Sequence, residues 1–325
     1  MGRSKPVMAL VATLATGVAL SACGGGDSGQ DGATEITVGI IPVADAGGYF
    51  VADAQGLFEK HGLTVTASNI AGGAALVPAL ESGATNVGFS NLVSVLQSAA
   101  QGFNTKCIAG TLRKPVTGRN LALVVSPVYA DEITTARDLE GKTIAVNTLG
   151  NINQLVAQAW MADSGADAGS PRFVAVNFPD MPVALMNGDV AAAVTDEPFT
   201  TVSLEGGAKL LEPRPYQAIA ADPVFSCWLV DGAWLEENRS AAEAFVAALE
   251  EADAYLEAHP DYLREILPDY TSLSPELASQ IELPAITTEM STADLAAWVG
   301  PAREFGLIDK EVDVDSILVH LGSRS

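Results

Sequence analysis

Three carboxylates, Asp45, Asp196 and Glu197, follow short apolar runs rich in Val, Ile and Ala. At comparable places stand Ser90, Asn91, Thr148, Asn151 and Asn153, with the aromatic residues Tyr49, Phe178 and Trp228 nearby. Carboxylates suit an amine or a ring bearing N–H donors; amides and hydroxyls offer donors and acceptors. Together these side chains could hold a small polar molecule. Covalent and metal chemistry are not laid out. There is no G-x-S-x-G elbow and no G-x-x-x-x-G-K-[ST] phosphate loop. No Cys/His cluster has metal-ligand spacing, and His61, His259 and His320 are scattered at element ends. The adjacent Asp196 and Glu197 would point two ways from a strand end, which is unsuited to paired acid–base work. No cofactor or metal is expected, and no enzyme activity.

The elements that must position these residues alternate. The pattern predicts strands at 37–41, 63–67 and 86–89, with helices over 49–60, 74–82 and 92–101, the last ended by Gly102. It restarts after a crossing placed at 121–126, with strands at 142–147 and 173–177. Asn151 and Gln154 have the spacing of a cap and its reciprocal partner, and Asp180 precedes a short helix with Pro182 in its first turn. Val77–Gly83 is echoed by Pro182–Gly188, and Ser90-Asn91 and Thr195-Asp196 follow at equal offsets. This repeat implies two lobes of similar build. From Phe225 the chain gives a strand, then a long helix with Ser240 and Glu243 as a capping box, then Pro-marked helical turns without a sheet of their own. The expected class is α/β, each lobe a mostly parallel sheet flanked by helices, with two crossing segments. In such sheets ligands bind beyond the carboxyl ends of the strands. That rule selects the residues named above, and it places the Thr148–Asn153 loop at a helix N-terminus.

The N-terminus carries a basic tip (Arg3, Lys5), an apolar stretch from Val7 to Leu20, and Leu20-Ser21-Ala22-Cys23 before the Gly-rich run 24–33. This reads as a signal peptide over 1–22. The apolar stretch falls short of the ~20 residues a membrane span needs. A flexible linker is expected over 23–35. The run resembles bacterial lipoproteins, whose cysteine, here Cys23, is acylated. The rest is long enough for two lobes of roughly 150 residues: 36–124 with 222–325, and 125–221. The net charge of −23 excludes nucleic acid as a partner. Cys107 and Cys227 each lie in an apolar strand-like run. Outside the cytoplasm they could form a disulfide, or remain two buried thiols.

Several segments resemble, in order, the periplasmic binding proteins of the nitrate/sulfonate/taurine and thiamine-precursor group. They are Gly48-Tyr49-Phe50-Val51-Ala52, Gly56–Val65, Gly72-Gly73 with Pro78-Ala79-Leu80, Val87–Asn91, Leu139–Val146, Glu197-Pro198-Phe199 and Trp234–Asn238. The resemblance implies a type II periplasmic binding protein fold that closes on its ligand by hinge motion. It also implies an extracytoplasmic, lipid-anchored, monomeric component of an ABC importer, whose partners are a small-molecule ligand, a permease and its cytoplasmic ATPase. A ligand-binding surface sensor is the alternative role. An enzyme like the fungal-type thiamine pyrimidine synthase of the same fold is disfavoured, because that family's cysteine-rich iron-site motif is absent. An anion would call on the basic cluster Arg113, Lys114 and Arg119. Asp45, Asp196 and Glu197 favour instead a pyrimidine or other amino-bearing heterocycle.

Overall fold

The computed structural model describes residues 33–271 and 273–321. Eleven strands form two sheets: β1 (Thr34–Ile40), β2 (Leu63–Asn69), β3 (Val87–Asn91), β4 (Thr105–Arg113), β5 (Leu121–Val125), β6 (Thr143–Val146), β7 (Arg172–Ala175), β8 (Ala192–Asp196), β9 (Lys209–Glu212), β10 (Val224–Asp231) and β11 (Ala285–Ile286). The first sheet has the order β11-β4-β10-β3-β1-β2 and the second β7-β6-β8-β5-β9. Parallel pairing holds in a three-strand half of each, β2-β1-β3 and β7-β6-β8. The other half is antiparallel, so both sheets are mixed.

The helices are α1 (Gly47–Ala54), α2 (Leu57–Lys60), α3 (Gly73–Glu81), α4 (Leu92–Gln101), α5 (Ile152–Asp163), α6 (Met181–Asn187), α7 (Phe199–Glu205), α8 (Gly232–Glu237), α9 (Arg239–Ala258), α10 (Tyr262–Tyr270), α11 (Pro275–Ala278) and α12 (Thr292–Glu304). The helix expected over 49–60 is two helices, because Gly56 takes a left-handed conformation (φ +64°) between them. Strands β3, β5 and β8 are buried along their whole length, and the Val- and Ala-rich runs of β5 and β8 suit burial under helices on both faces. The α3–β3 and α6–β8 units hold equivalent places in the two sheets, which gives the faint internal repeat its structural meaning. In the first lobe Phe58 stacks on Phe245, and Trp228 meets Phe245 edge-on.

Several expectations are corrected. Strand β1 begins at Thr34, inside the span assigned to the linker; the signal peptide and Cys23 lie outside the described residues. Strand β5 pairs with β8 and β9, so 121–124 belong to the second lobe and the first crossing is 114–120. The second crossing, 213–223, contains the expected boundary at 221/222. The tail contributes β11 to the first sheet. Ser240 and Glu243 lie inside α9, where Glu243 pairs with Arg239, and Asp180 makes no capping bond. Of the two states open to Cys107 and Cys227, the structure has the disulfide, between β4 and β10.

The two crossings are tied to one another. Arg214 donates to the Gly118 carbonyl, Tyr216 to that of Pro115 and Gln217 to that of Val116. No helix among the described residues is long and apolar enough to cross a membrane.

Candidate binding cleft between the lobes

The carboxyl ends of β1, β3, β6 and β8 bring their loops to one cleft. Its walls are Ile41, Val43, Asp45, Phe89, Asn91, Phe225 and Ser226 from the first lobe, and Asn147, Asn151, Ile152, Asn153, Phe178 and Asp196 from the second. The cavity is ≈ 20 Å³, about the room one water needs. A larger groove of ≈ 800 Å³ on the flank of β4 and α9 shares no lining residue with it and lies away from the shared strand ends.

Each wall residue is placed by a local structural cause. Asp45 sits in the 3-10 turn between β1 and α1. Asn91 ends β3 and caps α4, its Oδ1 accepting from the Ser94 N–H at 3.0 Å. Asn151 caps α5 in the same way, accepting from the N–H groups of Asn153 and Gln154. In the reciprocal bond Gln154 Oε1 accepts from the Gly150 N–H rather than from that of Asn151. The side-chain amides of Asn151 and Asn153 both donate to Asn147 Oδ1, at 2.6 and 3.3 Å.

The electrostatic centre is Lys114, which opens the first crossing and is fully buried. Its ammonium donates to Asp45 Oδ2 at 2.7 Å, to Asp196 Oδ1 at 2.7 Å and to Asn120 Oδ1 at 2.6 Å. Phe225 presents its ring 4.7 Å from the same nitrogen. Burial by itself would lower the lysine pKa; the charges of Asp196 and Asp45 outweigh it and raise the pKa. Burial, reinforced by the Asp45 charge and offset in part by Lys114, pushes Asp196 up to about 7. An ammonium has three donors, and all three are engaged. Asp45 Oδ1, in a residue 2% exposed, has no protein partner.

Of the residues singled out from sequence, Asp45, Asn91, Asn151, Asn153, Phe178 and Asp196 line this cleft. Five do not. Tyr49 packs in the first-lobe core against Phe50, Phe58 and Trp228, where burial raises its pKa. Trp228 lies two residues deeper along β10 than Ser226, which pairs with Asn91 at the cleft. Because β10 runs antiparallel to β3, its beginning, not its middle, reaches the cleft. Ser90 is buried beneath the wall and faces the Gly73 backbone. Thr148 lies against Gly72, at the contact of the two lobes. Glu197 turns inward, accepting from the Thr201 N–H and hydroxyl and the Glu282 N–H; burial, offset by the Thr201 bonds, pushes it up to about 7.

Asn147, Phe225, Ser226 and the role of Lys114 were missed. Asn147 ends its apolar strand run as Asn91 does, and that parallel was the available signal. Direct hydrogen bonds also cross between the lobes: Ala44 N–H to the Glu197 carbonyl, Asn147 Nδ2 to the Ala71 carbonyl, and Gln97 Nε2 to the Gly150 carbonyl.

Known structures share this architecture. The alkanesulfonate-binding protein SsuA from Xanthomonas axonopodis pv. citri, bound to MOPS, aligns with a TM-score of 0.75 at 18% identity, covering 89% of this chain and 99% of that one. The periplasmic aliphatic sulphonate-binding protein SsuA from Escherichia coli gives 0.70 at 19% identity, covering 88% and 92%. The periplasmic nitrate-binding protein NrtA from Synechocystis PCC 6803 gives 0.74 at 14% identity, covering 88% and 86%. At these identities the likeness establishes the periplasmic binding protein fold. Comparison with curated protein sequences returns no match. A family model described as NMT1/THI5 like matches residues 44–262, a span that starts beside Asp45, takes in every residue of the cleft wall from there to Ser226, and reaches into α10. The chain belongs to the NMT1/THI5-like family.

Proposed function

We propose that the chain is the extracytoplasmic solute-binding component of an ABC importer, capturing a small polar molecule between its lobes and delivering it to a permease driven by a cytoplasmic ATPase. The preferred ligand is a pyrimidine or another amino-bearing heterocycle. The observation that carries this preference is the state of Lys114: its three donors are engaged, while Asp45 Oδ1 is buried at the cleft wall without a partner. A sulfonate or nitrate needs a cation or several free N–H groups; a ring N–H or amino group needs an acceptor such as Asp45. The lining polar side chains are amides, two carboxylates and one serine, donors and acceptors for a small polar ligand.

A cavity of ≈ 20 Å³ cannot admit a heterocycle, so capture requires the lobes to part and re-close about the two crossings. A lipid on Cys23 would hold the body near its permease.

A thermal-shift panel tests the reading. Ligand at about 100 Kd stabilises by about 2.7 kcal/mol. Pyrimidines bearing amino groups are expected to raise the melting temperature. A shift with alkanesulfonates and none with pyrimidines would overturn the preference.

A further inference from the structure

We propose that Asp45 and Asp196 are the specificity-determining residues of the cleft, forming a charge filter that is completed only when the lobes close. The inference rests on the solute-binding reading and assigns the means of its selectivity.

The two carboxylates come from different lobes: Asp45 follows β1 of the first sheet, and Asp196 ends β8 of the second. Lys114 lies between them, on the first crossing. Lobe opening that separates Asp45 from Asp196 must break at least one of the two ion pairs, and the ammonium then has a free donor. Closing restores both pairs and withdraws that donor. With both carboxylates ionised, the closed cluster holds two negative charges against one positive. Its unpartnered buried atom at the wall is an acceptor, Asp45 Oδ1.

The amides lining the cleft do not change the balance. Asn120, whose Oδ1 accepts from Lys114, also leaves its Nδ2 buried without a partner, but Asn120 does not line the cleft. Asn151 and Asn153 each turn one amide donor to Asn147, and Asn91 turns one to Ser94. An oxyanion that met Lys114 in the open cleft would lose it on closure and face a carboxylate. A ligand with an N–H group or a positive charge would instead gain Asp45 on closure. The filter therefore acts at the closing step.

The test compares 4-aminopyrimidine and methanesulfonate as probes on the full chain, by calorimetric titration. The Asp45→Asn/Asp196→Asn variant keeps the shapes and leaves Lys114 without a counter-charge. It should bind methanesulfonate at least tenfold more tightly than the wild type and 4-aminopyrimidine at least tenfold more weakly. Because that variant buries an unpaired ammonium, Asp45→Asn alone serves as the second variant. It keeps the Lys114–Asp196 pair and should weaken 4-aminopyrimidine at least tenfold while melting within a few degrees of the wild type. Unchanged 4-aminopyrimidine binding in Asp45→Asn overturns the filter. So does tight methanesulfonate binding by the wild-type chain, although solute capture would then stand. A chain that binds neither probe and copurifies with no small molecule overturns both.

Discussion

Asp45 and Asp196 belong to different lobes, yet each places a carboxylate oxygen 2.7 Å from the same nitrogen, Lys114 Nζ. This buried cluster joins the first crossing to both walls of the cleft, so in the proposed function charge, lobe closure and ligand preference depend on the same three side chains. A buried pair contributes little net stability compared with an apolar replacement, whereas removing one partner is costly.

Replacing Lys114 with Met therefore leaves two buried carboxylates uncompensated and should destabilise the fold by about 3–5 kcal/mol. The triple variant Lys114→Met/Asp45→Asn/Asp196→Asn should recover most of that loss. Urea denaturation of both proteins measures the difference; equal destabilisation of the two would show that the charges are not its cause.

Adjacent glycines should behave differently. A Cβ at Gly72 would fall 2.9 Å from Thr148 Cγ2 in the opposite lobe, whereas one at Gly73 would fall 2.4 Å from Ser94 Cβ in its own. The Gly72 backbone is extended (φ 164°) and accepts any residue. Gly72→Val should thus leave the melting temperature nearly unchanged, weaken ligand binding about tenfold and increase the radius of gyration in scattering, since a close contact resists closure. Gly73→Ala should cost about 1–3 kcal/mol of stability through overpacking. The reverse pattern would misplace the lobe contact.

Stability should fall as pH rises toward neutrality. Burial pushes Asp196 and Glu197 up to about 7 and Asp253 up to about 6, the last against opposing bonds from Thr288. A carboxyl raised in the folded state holds its proton where the unfolded chain, with pKa near 4, has lost it. The protonated form thus stabilises the fold at low pH, and that contribution is lost between about pH 4 and 7. Asp138 and Glu251, lowered by their hydrogen bonds, oppose the trend, as does Asp294, where bonds from Ser291 and Arg113 outweigh burial. The melting temperature should be higher near pH 5 than near pH 8, and Asp253→Asn should flatten the slope. A slope of the opposite sign would show that the lowered groups dominate.

Much of this arrangement is legible in the sequence. Alternating apolar runs and glycine stops gave the strands and helices, and the strand-end rule led to Asp45, Asn91, Asn151, Asn153, Phe178 and Asp196. What stayed hidden depends on strand direction and sheet membership. Nothing local shows that β10 runs antiparallel, which places Ser226 at the cleft and Trp228 in the core. Nothing local shows that β5 has left the first sheet, so the crossing was drawn seven residues too late, measured from Lys114 to Leu121. Lys114 was legible as a basic residue near the edge; its burial between two acids from distant segments is a tertiary fact. The sequence places both Asp196 and Glu197 at the ligand while expecting them to point two ways; alternation along the chain does turn Glu197 away, inward to Thr201.

The disulfide should matter for stability and not for binding. Cys107 and Cys227 are 120 residues apart in sequence, and a disulfide typically stabilises by about 2–4 kcal/mol, with longer loops toward the upper end. Neither cysteine lines the cleft. The Cys107→Ala/Cys227→Ala variant should lose stability in this range in urea and keep its ligand affinity within about twofold. A large loss of affinity at unchanged stability would indicate that the bridge shapes the cleft.

The most direct measurement is the mass of the small molecule released on denaturing the protein purified from its own cells. The cleft described here predicts an amine or an N–H-bearing heterocycle, with the released mass absent from the Asp45→Asn variant. An alkanesulfonate or nitrate released in stoichiometric amount would contradict it.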